Sequence, residues 1–196
     1  GGFIGVDVFF VISGFLITGQ ILKAHNSNSW SYASFYGRRI LRLFPPLFVT
    51  IILTQLVAAF VMSPGDIDRL SESSIAAVLF VPNIYFWLES GYFTQGAETK
   101  PLLHTWSLGV EEQFYIIWPV LIGYTLTIGR RLLTPVIVIL GMAAFCALLF
   151  FHRTYADAVF FLTPFRAFQF ATGAILALSG IELLNLSAKA AGAVSV

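Results

Sequence analysis

Long apolar runs constrain this chain more than any other feature of its sequence. A helix that crosses the roughly 30 Å hydrocarbon core of a bilayer needs about 20 mostly apolar residues, since each residue rises about 1.5 Å. Five segments meet that requirement: Phe3–Leu22, Leu43–Met62, Trp106–Ile128, Leu132–Phe151 and Val159–Ser179. A sixth, Ser74–Leu88, is shorter and is interrupted by Pro82 and Asn83. Of the 196 residues, 58% are hydrophobic and only 11% charged, whereas soluble domains carry about 25% charged residues. These figures exclude an ordinary water-soluble globule, a disordered chain and a nucleic-acid binder. The formal net charge of +1 supplies no long-range field for nucleic acids or acidic substrates. The predicted fold is all-α: a polytopic transmembrane bundle of five spanning helices plus one short re-entrant or partial segment. The single cysteine, Cys146, has no intrachain partner, and no Cys/His spacing fits zinc, so no metal is expected.

Orientation follows from the Lys/Arg bias, which marks cytoplasmic loops. Lys23, Arg38, Arg39 and Arg42 lie between the first two runs, and Arg130 and Arg131 follow Trp106–Ile128. Asp66, Asp68 and Glu72 outweigh Arg69 in the connection after the second run, which suits the outer side. Under that bias, Leu43–Met62 and Trp106–Ile128 are both accommodated if Ser74–Leu88 does not cross, or enters partly and returns; the alternative is a short sixth span that departs from the bias. Irregular backbone at membrane depth needs cover from protein or water, so this segment is expected to line a cavity.

Ionisable residues inside apolar runs are expensive, and so mark candidate chemistry. Asp7 sits about two turns into the first run, and Arg166 sits in the last, on one helical face with Gln169 and Gly173. Arg166 should pair with Asp7 or Glu111; the alternative for Asp7 is a helix-start residue favoured by the macrodipole. Arg38 and Arg42 share a helix face with Arg39 beside them. Three guanidiniums form an anion site suited to phosphate, or simple positive-inside anchoring. The densest polar stretch runs from His104 to Pro119. Glu111 and Glu112 point about 100° apart, so at least one should be buried and paired. An imidazole can take up and release a proton near neutral pH, which makes His104 a candidate proton carrier. The alternatives here are dipole stabilisation by the carboxylates and an aromatic belt for Trp106 and Tyr115.

Four motifs in order carry a resemblance. They are Gly5–Thr18 (GVDVFFVISGFLIT), Phe35–Pro45 (FYGRRILRLFP), His104–Tyr115 (HTWSLGVEEQFY) and Thr163–Phe168 (TPFRAF). In them the chain resembles the acyltransferase-3 family of bacterial membrane O-acyltransferases, in particular the subgroup that modifies surface polysaccharide. The resemblance implies transfer of an acyl group, often acetyl, from acyl-CoA as co-substrate. The acceptor would be a hydroxyl of an extracytoplasmic glycan such as lipopolysaccharide O-antigen or capsule. It implies a multi-pass protein of the bacterial inner membrane, in contact with the bilayer, with no bound cofactor and no nucleic-acid partner. It makes Arg38, Arg39 and Arg42 candidates for holding the CoA phosphates, and Asp7, Trp106, Glu111 and Arg166 candidates for a buried catalytic site. With the two sets on opposite sides, the acyl group would have to cross most of the bilayer. The family's transmembrane domain has about ten helices, so residues 1–182 are expected to be part of one and 183–196 the start of a continuation. The family also places an Arg and a His on a helix before the Gly-Val-Asp motif; without that helix the fragment is expected to be inactive. The rival readings are a transporter or channel with an intramembrane polar site, and a scaffold without catalysis.

Overall fold

A computed structural model describes residues 2–90 and 100–194, and within them the side chains of residues 4–90 and 100–180. Every regular element among the described residues is helical. The α-helices are α1 (Gly2–Asn26), α2 (Tyr32–Val61), α3 (Pro64–Val78), α4 (Pro82–Ser90), α5 (Thr105–Ile128), α6 (Leu133–Phe151), α7 (Ala156–Phe161) and α8 (Thr163–Val194), with a 3-10 turn at Arg130–Leu132 before α6. The expected division after residue 182 falls within α8. Residues 195–196 lie outside the described residues.

Four stretches are long and apolar enough to cross a membrane: Ile4–Asn26, Tyr32–Val61, Arg130–Phe151 and Ala156–Gly180. The expected fifth, Trp106–Ile128, forms α5 at sufficient length, but Glu111, Glu112 and Gln113 dilute its apolar character. A count of five therefore does not follow from composition. Ser74–Leu88 divides into the end of α3 and most of α4. Between them Phe80 takes a left-handed φ of 58°, a costly conformation for a bulky residue. At 15 and 9 residues, neither helix reaches the length of a span. The final run is also interrupted: Leu162 is extended between α7 and α8.

The burial pattern is inverted relative to a soluble protein. Phe60 is 90% exposed and Phe150 79%, while Asn83, Glu111, Glu112 and Gln169 are all buried. Large exposed apolar faces around buried polar groups suit a hydrocarbon solvent.

The chain divides into two compact units. The first contains residues 1–30, 115–150 and 164–196. Within it α1 and α8 run side by side in the same direction. A side-chain carbon at Gly14 would collide with the backbone of Phe170, and one at Gly173 with the carbonyl of Val11. Only glycine permits this approach, as in tightly packed membrane helices. Phe10 stacks on Phe170 with ring centres 4.8 Å apart. The indole of Trp118 donates to Thr18 Oγ1 at 2.8 Å, and Arg130 Nη1 donates to Asn26 Oδ1 at 2.8 Å, so this part of α5 parallels α1. Gly141 meets Ala171 and Phe145 meets Phe168, which makes α6 antiparallel to α8. These directions alternate as the Lys/Arg bias predicts.

The second unit contains residues 31–114 and 151–163. Ser63 caps α3, and Pro64 occupies its first turn, where a missing N–H costs nothing. α3 folds back on α2: Gln55 Nε2 donates to Ser71 and Ser74 at 3.3 and 3.2 Å. Leu47, Ile51, Ala58, Leu70, Ala77 and Leu102 form the apolar cluster between them. α4 then returns along α3, and Tyr85 donates to Glu72 Oε2 at 3.1 Å.

Candidate functional site

In the second unit the sequence places Arg39 two turns into α2 and Glu111 and Glu112 two turns into α5. The guanidinium joins both carboxylates. Arg39 Nε lies 3.2 Å from Glu112 Oε1, and Nη2 lies 3.8 Å from Glu111 Oε1. Both glutamates are 7% exposed. At least one buried and paired carboxylate is expected from the sequence; both are, because the planar fork of arginine spans neighbouring residues. For Arg39, the expected separation of arginines from the carboxylates does not hold, since it lies within bonding distance of Glu112. Arg39 thus pairs with two carboxylates in this structure. Arg38 and Arg42 are exposed, and Arg38 Nη1 donates to Ser34 Oγ at 2.7 Å.

Trp106 is buried against Phe160 and Phe161, with ring centres 4.6 and 5.6 Å away. His104 is placed elsewhere: it is exposed, and its Nδ1 lies 3.1 Å from the carbonyl oxygen of Pro101. Gln113 turns away from Arg39 toward α4, where its Nε2 donates to Asn83 Oδ1 at 2.9 Å.

In the first unit the close packing of α1 on α8 brings together a second polar set. Arg166 Nη1 donates to Asp7 Oδ1 at 3.0 Å, and Gln169 Nε2 donates to the same oxygen at 2.7 Å. Of the two expected partners, Asp7 is thus paired with Arg166. Asp7 itself is half-exposed rather than buried as expected. Gln169 Oε1 is buried with no hydrogen-bond partner among the described residues. It presents an acceptor to an incoming O–H or N–H group.

Sequence reasoning passed over Glu112, Asn83, Gln113 and Gln169 as site residues. Asn83 and Gln113 were visible as amides within apolar surroundings. Nothing in their spacing said that they would meet, because they lie on separate helices.

The fold and the two polar sets define a multi-pass, helical membrane protein with ion pairs between its helices. The chain belongs to the acyltransferase-3 family: the family's model, described as an acyltransferase domain, matches residues 1–195. It is 36% identical over 183 residues to the peptidoglycan O-acetyltransferase OatA of Listeria monocytogenes, covering 90% of this chain and 29% of OatA. It is 34% identical over 184 residues to YrhL of Bacillus subtilis, covering 91% of this chain and 29% of YrhL. It is also 41% identical over 117 residues to an uncharacterized protein of Haemophilus influenzae, covering 60% of this chain and 48% of that protein. The chain thus spans about half the length of the Haemophilus relative and under a third of the other two. No solved structure matches it.

Proposed function

We propose that this chain forms part of a membrane O-acetyltransferase that moves an acetyl group from acetyl-CoA to a hydroxyl of a cell-envelope glycan. Peptidoglycan is the acceptor favoured by the name of OatA; surface polysaccharide, including lipopolysaccharide O-antigen, is the second candidate. One observation carries this reading beyond family membership. Exposed Arg38 and Arg42 flank the turn whose Arg39 is drawn into Glu111 and Glu112. The exposed pair suits the phosphates of coenzyme A, which guanidinium binds by paired charge-assisted hydrogen bonds. The inner triad suits a thioester or hydroxyl that must be oriented away from water. In the other unit Asp7 and Gln169 Oε1 offer acceptors for a sugar hydroxyl beside Arg166. Relatives named for acetyl transfer favour this reading over a transporter or channel.

The reaction balances simply. The acceptor oxygen attacks the thioester carbonyl carbon, the C–S bond breaks, an ester forms, and the hydroxyl proton ends on the thiol of coenzyme A. The test compares peptidoglycan and surface polysaccharide from cells with and without the full-length protein, by mass spectrometry before and after mild alkali. An alkali-labile acetyl ester that depends on the protein supports the reading. Unchanged glycan in both fractions overturns it. In the active protein, Arg38→Ala and Arg42→Ala should each raise KM for acetyl-CoA about tenfold, the loss of one charge-assisted contact.

A further inference from the structure

Two helix breaks in the second unit leave backbone carbonyls without helical partners, and one pair of side-chain amides takes up both. At the α3–α4 break, the carbonyl of Phe80 accepts from Gln113 Nε2 at 3.0 Å. At the α7–α8 break, the carbonyl of Phe161 accepts from Asn83 Nδ2 at 3.2 Å. The amides also bind each other, Gln113 Nε2 to Asn83 Oδ1 at 2.9 Å and Asn83 Nδ2 to Gln113 Oε1 at 3.4 Å. Thr163, the first residue of α8, donates its hydroxyl to Gln113 Oε1. All four amide hydrogens are therefore used, and Asn83 is fully buried. A closed network of this kind is rigid, whereas losing one member strands the others in a low-dielectric interior.

Packing locks the same register. A side-chain carbon at Gly109, one turn before Gln113, would lie 2.8 Å from both Asn83 Oδ1 and Pro82 Cδ. Trp106, a turn earlier, is held against Phe160 and Phe161. One face of α5, from Trp106 through Gly109 to Gln113, is thus gripped by α4 and α7. The residue before Gln113 is Glu112, about 100° around the helix, where it meets Arg39.

We propose that Asn83 and Gln113, tied to α8 by Thr163, are positioning residues: their paired amides fix the rotation of α5 and so aim Glu111 and Glu112 at Arg39. This inference rests on the acetyl-transfer reading above. Thr163→Val is near-isosteric and removes only the hydroxyl, so it tests the network with little risk to folding; Thr163→Ser restores the hydroxyl. Gln113→Leu and Asn83→Ala remove the amides outright. The full-length protein and each variant are assayed in membranes for acetyl transfer, with protein level measured alongside.

The expected result for Thr163→Val is a kcat lowered on the order of ten- to hundredfold, the effect of a small misplacement of working groups. KM for both substrates stays within about twofold, and Thr163→Ser recovers most of the rate. A Thr163→Val protein with unchanged kcat overturns the proposal, as does a loss of rate explained entirely by loss of protein. A Thr163→Ser protein as slow as Thr163→Val also overturns it. A wild-type protein without acetyl transfer sinks the functional reading instead, so the two failures are distinguishable.

Discussion

Arg39 shows how much one side chain decides here. It holds two buried carboxylates, so removing it leaves adjacent like charges without the guanidinium that separates them. Breaking a buried ion pair from one side costs about 3–5 kcal/mol. Arg39→Ala is therefore expected to lower the melting temperature of the detergent-solubilised full-length protein sharply, and Arg38→Ala to leave it within a degree or two, as exposed charges contribute little. Equal losses in both would show that Arg39 is not committed to Glu111 and Glu112. A second residue-scale prediction concerns pH at the start of α3. The hydroxyl of Ser63 donates to Asp66 at 2.6 Å and Arg69 donates at 2.7 Å. These bonds, with Ser63 the larger influence and Arg69 next, pull the Asp66 carboxyl below its ordinary range. A depressed carboxylate stabilises the fold above its unfolded pKa of about 4 and loses that contribution as pH falls further. Carbon-13 NMR of the labelled carboxyl should find a midpoint below that of a free aspartate, and Ser63→Ala should move it upward.

At the scale of elements, close approach and breaks do the positioning. Gly14 and Gly173 let α1 and α8 touch, and that contact brings Asp7 to Arg166 and Gln169. Gly14→Leu or Gly173→Leu should force the helices apart, at a cost of roughly 1–3 kcal/mol or more for overpacking. Disulfide trapping between cysteines placed on α1 and α8 reads this directly: strong in wild-type background, lost in the leucine variants. Persistence of the cross-link would mean that the glycines are not contact points. The two short helices α4 and α7 were partly legible. Pro82 and Asn83 signalled an interruption, whereas the break at Leu162 had no signal except Pro164, which also fits an ordinary first helical turn.

For the whole molecule, the testable quantity is topology. In a Cys146→Ser background, single cysteines at Ser27 and Arg131 should react with an impermeant thiol reagent only from the cytoplasmic side. A cysteine at Gly65 should react only from the opposite side. Labelling of Ser27 and Gly65 from one side would overturn the orientation. The membrane class and the four motifs were readable from the linear chain. Apolar run length is set by bilayer thickness, and the cost of a charge inside an apolar run singles out Asp7, Glu111 and Arg166 wherever they stand. The choice of partners was decided only in three dimensions. Asp7 or Glu111 for Arg166, both glutamates for Arg39, and Asn83 with Gln113 all depend on helix rotation and on where helices break. Those follow from contacts between residues up to 162 positions apart, and spacing along one helix carries no information about the face that a distant helix presents.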